Sequence, residues 1–531
     1  SAITKDGEFG KIINGTPDWV YEEEFVETRH FVFSPDSKLL AFIKFNETDV
    51  PTYSMQHFLD SPIRQDELPL YPSVQTFKYP NPGQNISKVS VCVYDDFYKS
   101  VKTINLDTRE KDYYIPRIKW TADQEKLAVF VLNRNQNRLD MLIANPKSLL
   151  SKLILRDEDN SYVDYDNIDA VFFTPDNKYF TYLSEKDGYR HAYLYNVNGT
   201  LSRQLTKGSW DVTNVYGYDA ATQTLYYQSA ESSPLQRDIY SLDAKGKKLR
   251  LTDGKGTHDA LFSKSFAYFV DNASTANNPT VSIMRDKKGI KIRTMEDNAT
   301  LASEFKALNL PVKEFFTFTT SEGIKLNGWM LKPVGFNPAE KYPTLMVQYS
   351  GPNSQEVLDR WKIEWEYFLS TKGYVVVSVD GRGTGARGAE FRKCTYQQLG
   401  VLEARDQIEA ARYLATQSFV DKDRIGIWGW SYGGYMTILA MSFKAGIAVA
   451  PVTDWRLYNA AYTERFMRTP QENNRGYDAG SVLNKAGKLN GNLLVIHGTA
   501  DDNVHLPNTM IYLDKLMKAG KHADLQLYTD K

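Results

Sequence analysis

The chain has 531 residues, a net charge of −1, 42% hydrophobic and 24% charged residues. That length exceeds what one ordinary core organises, so two or more domains are expected, and the balanced charge excludes nucleic acid as a partner class. Two distant cysteines, Cys92 and Cys394, exclude a disulfide framework and a cysteine metal cluster, and no apolar run approaches the ~18 residues of a membrane-spanning helix.

From the first residue to about 305 one theme repeats. "FVFSPDSKLLAFIKF" (31–45), "IKWTADQEKLAVFVL" (118–132) and "VFFTPDNKYFTYLSE" (171–185) each read as a short apolar strand, a polar turn and a second apolar strand. "VYGYDAATQTLYYQS" (215–229) continues the theme and "LFSKSFAYFVDN" (261–272) is a weaker copy. The later copies recur at roughly 45 to 53 residues, the period of four-stranded propeller blades. We expect a β-propeller over 1–305, with a β-sandwich or several small β domains as the alternative. About five blades are legible, with an insertion before residue 118 and N-terminal blades missing.

From about 312 the pattern changes. "TLMVQYSG", "GYVVVSVDG", "RIGIWGWS", "AGIAVAPV" and "NLLVIHG" are nearly continuous apolar runs, separated by helical stretches such as 401–417 and 508–520. Such alternation predicts a mostly parallel sheet covered on both faces, an α/β domain over 306–531. "FTFTTSEGIKLNGWMLKP" reads as a β-hairpin leading into it.

"GWSYGGY" (429–435) fits Gly-x-Ser-x-Gly, weak as a pattern alone. Context strengthens it: "RIGIW" before it is a buried-strand signal and "YMTILAMS" after it is helical. Ser431 therefore belongs at a strained strand-to-helix corner, where a nucleophile of the α/β-hydrolase kind sits. A serine needs an orienting carboxylate and a base. Asp501, in "HGTADDNVH" just past a strand, fits the carboxylate better than its neighbour Asp502. Of the seven histidines, His30, His57, His191 and His258 lie in the β half, and His497, His505 and His522 miss the loop where the base belongs.

"IWGWSYGGYMT", "GIAVAPVTDWRLY", "YTERFM", "HGTADDNVH", "DGRGTGARG" and "DWVYEEEF" closely resemble the prolyl oligopeptidase family of serine peptidases, in its dipeptidyl-peptidase branch. The likeness covers essentially the whole chain, and the scarcity of cysteine is more like a bacterial member. It implies a propeller capping an α/β-hydrolase domain, and release of dipeptides from peptide N-termini when the second residue is proline or, less well, alanine. It further implies that Glu23 and Glu24 bind the substrate ammonium, and that Tyr432, Val452, Trp455, Tyr458 and Tyr462 enclose the proline. Tyr458 and Tyr462, four apart, would share one helix face. Tyr349 and the Tyr432 N–H would form the oxyanion site, while Trp430, Asn503 and Val504 line the site and Asn503 bonds the first carbonyl.

The family's base follows an Asp-x-x-His pattern. "YTDK" closes the sequence, so the base is expected two residues past Lys531, and the family's propeller arginine upstream of Ser1. The stretch from Ser431 to Pro451 is shorter than in the family, which suggests a loop omitted between Ser442 and Phe443. The likeness implies no cofactor or metal, a homodimer, and a periplasmic or secreted location. The rival readings are a post-proline endopeptidase, a tripeptidyl peptidase, or a non-catalytic binding homologue.

Overall fold

The computed structural model describes residues 2–59, 71–441 and 443–531. The expected omission beside Ser442 thus falls at a residue outside those described. The C-terminal half is built on one eight-stranded sheet: β1 (Glu314–Thr319), β2 (Lys325–Leu331), β3 (Tyr342–Val347), β4 (Val375–Asp380), β5 (Val420–Trp430), β6 (Ala445–Val449), β7 (Asn492–Gly498) and β8 (Asp524–Tyr528). Their order across the sheet is β1-β2-β4-β3-β5-β6-β7-β8. β1 pairs antiparallel with β2 in the predicted hairpin, and β2 antiparallel with β4; every later pairing is parallel. The apolar runs of the sequence are these strands. β4 is buried at all six positions, as a strand covered on both faces must be. The two expected helices form at Val401–Ala415 and Pro507–Lys518.

The N-terminal half consists, among the described residues, of successive small antiparallel sheets. The repeated sequence segments are their hairpins, for example Phe31–Phe33 with Leu39–Asn46, and Tyr113–Trp120 with Leu127–Asn133. In the 171–185 copy the first strand shrinks to a single bridge between Phe173 and Phe180, which leaves that sheet three-stranded. The segment inserted before residue 118 includes a hairpin, Thr52–His57 with Ser73–Lys78, that forms a sheet of its own. A helix, Ala299–Ala307, spans the boundary expected at 305/306.

The halves are locked together by buried charges. Arg134 grips the fully buried Glu464 at 2.7 Å, and Arg392 and Lys393 reach Asp164 and Asp159, each at 2.7 Å. Breaking one partner of such a pair strands the other charge in a low-dielectric interior. Ala460 and Ala461, at the start of a helix in the C-terminal half, pack into the apolar core of the N-terminal half, where only small side chains permit so close an approach.

Candidate active site

β5 ends at Trp430, the helix Tyr432–Leu439 begins at once, and Ser431 is the corner between them. Its backbone sits at φ 58°, ψ −115°, a region that costs a non-glycine residue about 1–3 kcal/mol. The strain is imposed by neighbours. The Ser431 N–H donates to the Val449 carbonyl of β6 (2.9 Å), and the Gln348 amide donates to the Gly433 carbonyl (2.8 Å). The flanking glycines are demanded by contact. A Cβ on Gly429 would lie 2.3 Å from the Gly433 backbone, and one on Gly433 2.5 Å from the Gln348 carbonyl oxygen. Both obstacles are backbone and cannot swing aside. Gly433→Ala is therefore predicted to cost about 3 kcal/mol and to misplace Ser431, read as a lower denaturant midpoint together with lost turnover.

Tyr349 stands two residues past β3, half-buried, with its ring 6.0 Å from that of Tyr432, the residue after Ser431. Burial, reinforced by the negative field of Glu24, pushes its phenol up to about 12, so it stays a proton donor. Tyr432, as the first helical residue, has an N–H that the helix itself leaves unsatisfied. Together they offer two donors near the serine, the arrangement an oxyanion needs. The Tyr432 side chain turns the other way, into the core, and its hydroxyl donates to the buried Glu403 at 2.7 Å.

Asp501 follows β7. One carboxylate oxygen, Oδ1, accepts the N–H groups of Asn503 (3.1 Å) and Val504 (2.9 Å), which fixes its orientation. Asp502 is exposed, and its carboxylate accepts a hydrogen bond from the Trp19 indole at 3.5 Å. Among the described residues no histidine is hydrogen-bonded to Ser431. His497 is held by Thr509 (2.7 Å) and the Val504 carbonyl (2.6 Å); His505 is stacked on Tyr53 with ring centroids 3.5 Å apart, and burial pushes it down to about 4; His522 is exposed. The end of β8 lies against the Asp501 loop: the Thr499 N–H donates to Tyr528 and the Ala500 N–H to Lys531.

The expected pocket residues gather beside Ser431. The Tyr432 and Trp455 rings are 5.4 Å apart, Trp455 and Tyr462 5.7 Å and nearly parallel, and Tyr458 and Tyr462 5.3 Å and perpendicular. Val452 is buried. Tyr458 and Tyr462 do not share a helix face. Tyr458 is extended (φ −109°, ψ 171°), and the helix Ala460–Met467 starts only after Asn459, whose side chain caps it through the Tyr462 N–H. The two rings meet across that cap. Trp430 stands apart from the box and is 59% exposed, on the side of Tyr349.

Glu23 and Glu24 close the helix Trp19–Glu24, capped by Asp18 and anchored by the buried Tyr21. Glu24 is 7% exposed and accepts the Asn459 amide at 2.6 Å; burial pushes it up to about 7 despite the nearby Arg465. Glu23 is exposed and accepts the Asn503 amide at 2.5 Å. Its carboxyl is raised by partial burial and by Asp502, Glu22 and Asp501, and lowered by the Asn503 bond. Asn503, expected to face a substrate carbonyl, thus spends its amide on Glu23; Val504 is buried. Asn459 escaped sequence reasoning, although an Asn just before a helical run signals a cap.

A strained serine elbow, two potential hydrogen-bond donors beside it and a fixed aspartate at the C-terminal edge of this sheet fit a serine hydrolase of the α/β kind. Residues 1–280 match the model described as the dipeptidyl peptidase IV (DPP IV) N-terminal region, and residues 361–531 the prolyl oligopeptidase family. The sequence called "Probable dipeptidyl peptidase 4" of Emericella nidulans is 35% identical over 561 residues, with 100% of this chain and 72% of the relative covered. "Probable dipeptidyl-aminopeptidase B" of Fusarium vanettenii is 36% identical, with 99% of this chain and 61% of the relative covered. The crystal structure of Porphyromonas gingivalis dipeptidyl peptidase 4 superposes with a TM-score of 0.95 at 50% identity, covering 100% of this chain and 74% of that one. The chain belongs to the prolyl oligopeptidase family, among its dipeptidyl peptidase IV-like serine peptidases. No helix among the described residues is long and apolar enough to cross a membrane.

Proposed function

We propose that the protein removes X-Pro dipeptides, and X-Ala less well, from peptides with a free N-terminus, through an acyl-enzyme on Ser431. The observation that carries this is one side chain with two duties: Asn459 caps the helix bearing Tyr462 and, with its amide, holds Glu24. Glu24 is thereby fixed at a set distance from the aromatic box, and Glu23 is held separately by Asn503. A substrate ammonium would sit at Glu23 and Glu24 and its second side chain in the box of Val452, Trp455, Tyr458 and Tyr462. The flat, largely buried walls suit a compact apolar ring.

In the proposed reaction the Ser431 hydroxyl attacks the carbonyl carbon of the second residue and gives its proton to the base. The oxyanion is received by Tyr349 and the Tyr432 N–H. The C–N bond then breaks, the leaving amine takes the proton, and water later hydrolyses the dipeptidyl ester. Asp501, whose loop is held against the end of β8, orients the base. The same family likeness, with the repeated sheets and their spacing, supports reading the N-terminal half as β-propeller blades. It also supports a homodimer working outside the cytoplasm, which light scattering and cell fractionation test.

The pocket reading is tested with p-nitroanilides of Gly-Pro, Gly-Ala and Gly-Leu. The rate kcat/KM should fall in that order, with Gly-Leu about a hundredfold or more below Gly-Pro. Equal rates would remove the proline box from the account.

A further inference from the structure

The acyl half of a substrate occupies the ground between Ser431 and Glu24, so the leaving half must depart past Tyr349 and Trp430. A cavity of about 260 Å³ opens there, lined by both residues. It shares Gln355, Leu358 and Arg360 with a second cavity of about 670 Å³ between the two halves of the chain. The two cavities adjoin at these three residues, on the Tyr349 side of the site.

Arg237 lines the second cavity and is only 9% exposed, yet no carboxylate pairs with it among the described residues. Among the described residues its guanidinium donates only to neutral oxygens, the carbonyls of Pro234 (3.0 Å) and Gln236 (2.8 Å) and the side chain of Gln355. A buried cation so placed ordinarily has an anionic partner. Arg360, on the shared wall, is likewise without an ion pair among the described residues and is close enough to repel Arg237. Burial lowers Arg237 to about 10, so it stays charged at neutral pH.

The cavity's own carboxylates are committed elsewhere. Asp211, the acid that acts on Arg237, accepts the N–H groups of Arg190 (2.9 Å) and Gly388 (2.8 Å). Glu185 holds Arg392 and Lys393, Asp259 takes the Tyr216 hydroxyl (2.7 Å), and Asp166 faces Arg190.

We propose that Arg237 and Arg360 form a carboxylate-binding site for the leaving peptide, taking either its C-terminus or an Asp or Glu side chain. A guanidinium pair matches carboxylate geometry where an ammonium would not. The inference rests on the peptidase reading above. It makes the enzyme sensitive to a charge several residues beyond the bond it cuts.

The test compares Gly-Pro-(Ala)n peptides of increasing length with free and amidated C-termini, and amidated peptides carrying Asp or Asn at each leaving-side position. At the lengths that reach the site, losing the carboxylate should raise KM about tenfold with kcat little changed. The C-terminal and Asp/Asn series show which source the site takes. R237Q and R360Q should each abolish the difference and leave Gly-Pro-p-nitroanilide, which has no leaving peptide, at the unmodified rate. The peptide comparison on the unmodified enzyme and the exposed Arg360 keep the test open if R237Q does not fold. Equal KM across all pairs, or a preference that persists in both variants, overturns the site alone. Failure to cleave any Gly-Pro substrate removes the reaction and the site together.

Discussion

Ser431→Ala should lower kcat on a Gly-Pro amide by at least about 10⁴-fold while leaving KM and the thermal midpoint nearly unchanged. The size follows from what the serine alone supplies. In the proposed reaction Tyr349, the Tyr432 N–H and the aromatic box would still orient and polarise the carbonyl in the variant, but no covalent route would remain. The unchanged fold follows from the geometry of the corner. Its strain is held by the Val449 and Gln348 bonds and by the close approach at Gly433, none of which needs the hydroxyl. Alanine at φ 58° keeps the same backbone penalty as serine. Steady-state kinetics with a burst-phase check measures this. A variant retaining a tenth of the activity would remove Ser431 from the chemistry.

The second large effect concerns charge. Acetylating the substrate N-terminus should lower kcat/KM by about a thousandfold or more, because Glu23 and Glu24 would then face a neutral group. Glu24→Gln should cost the free-amine substrate similarly in direction, with KM carrying most of the loss. The same substitution should stabilise the ligand-free protein. Burial raises Glu24 from 4.5 to about 7, so its proton is held more tightly in the folded chain than in the unfolded one. The stability linked to that proton is complete below about 4.5 and is lost as pH rises through about 7. Above pH 7 the ionised, buried carboxylate therefore costs roughly 3 kcal/mol, which Gln would not. Chemical denaturation at pH 4.5 and pH 8 measures both ends: no gain at the first, a gain at the second. A loss at pH 8 would contradict the burial argument. Such a cost fits a carboxylate that, in the proposed function, receives the substrate ammonium.

How far the sequence carried the reading depends on distance along the chain. The Ser431 corner was legible because strand, glycines, serine and helix are consecutive. Asp501 was legible because it follows a strand directly. The pairing of Glu23 with Asn503 joins residues 480 positions apart, and only the family likeness pointed to Glu23 and Glu24 as a site. Tyr458 was misplaced because spacing by four suggests a helix face, whereas a cap at Asn459 interrupts the helix there. Arg237 gave no signal in "PLQRDIY": its burial, beside its own loop carbonyls and Gln355 of the C-terminal half, appears only in the fold.

The most direct test of the central claim is product analysis on a free-amine decapeptide with proline at positions two and six. The account predicts that the first two residues leave as a dipeptide, the remaining eight stay joined, and the internal proline is untouched. Release of a tripeptide, or cleavage after the internal proline, would contradict it.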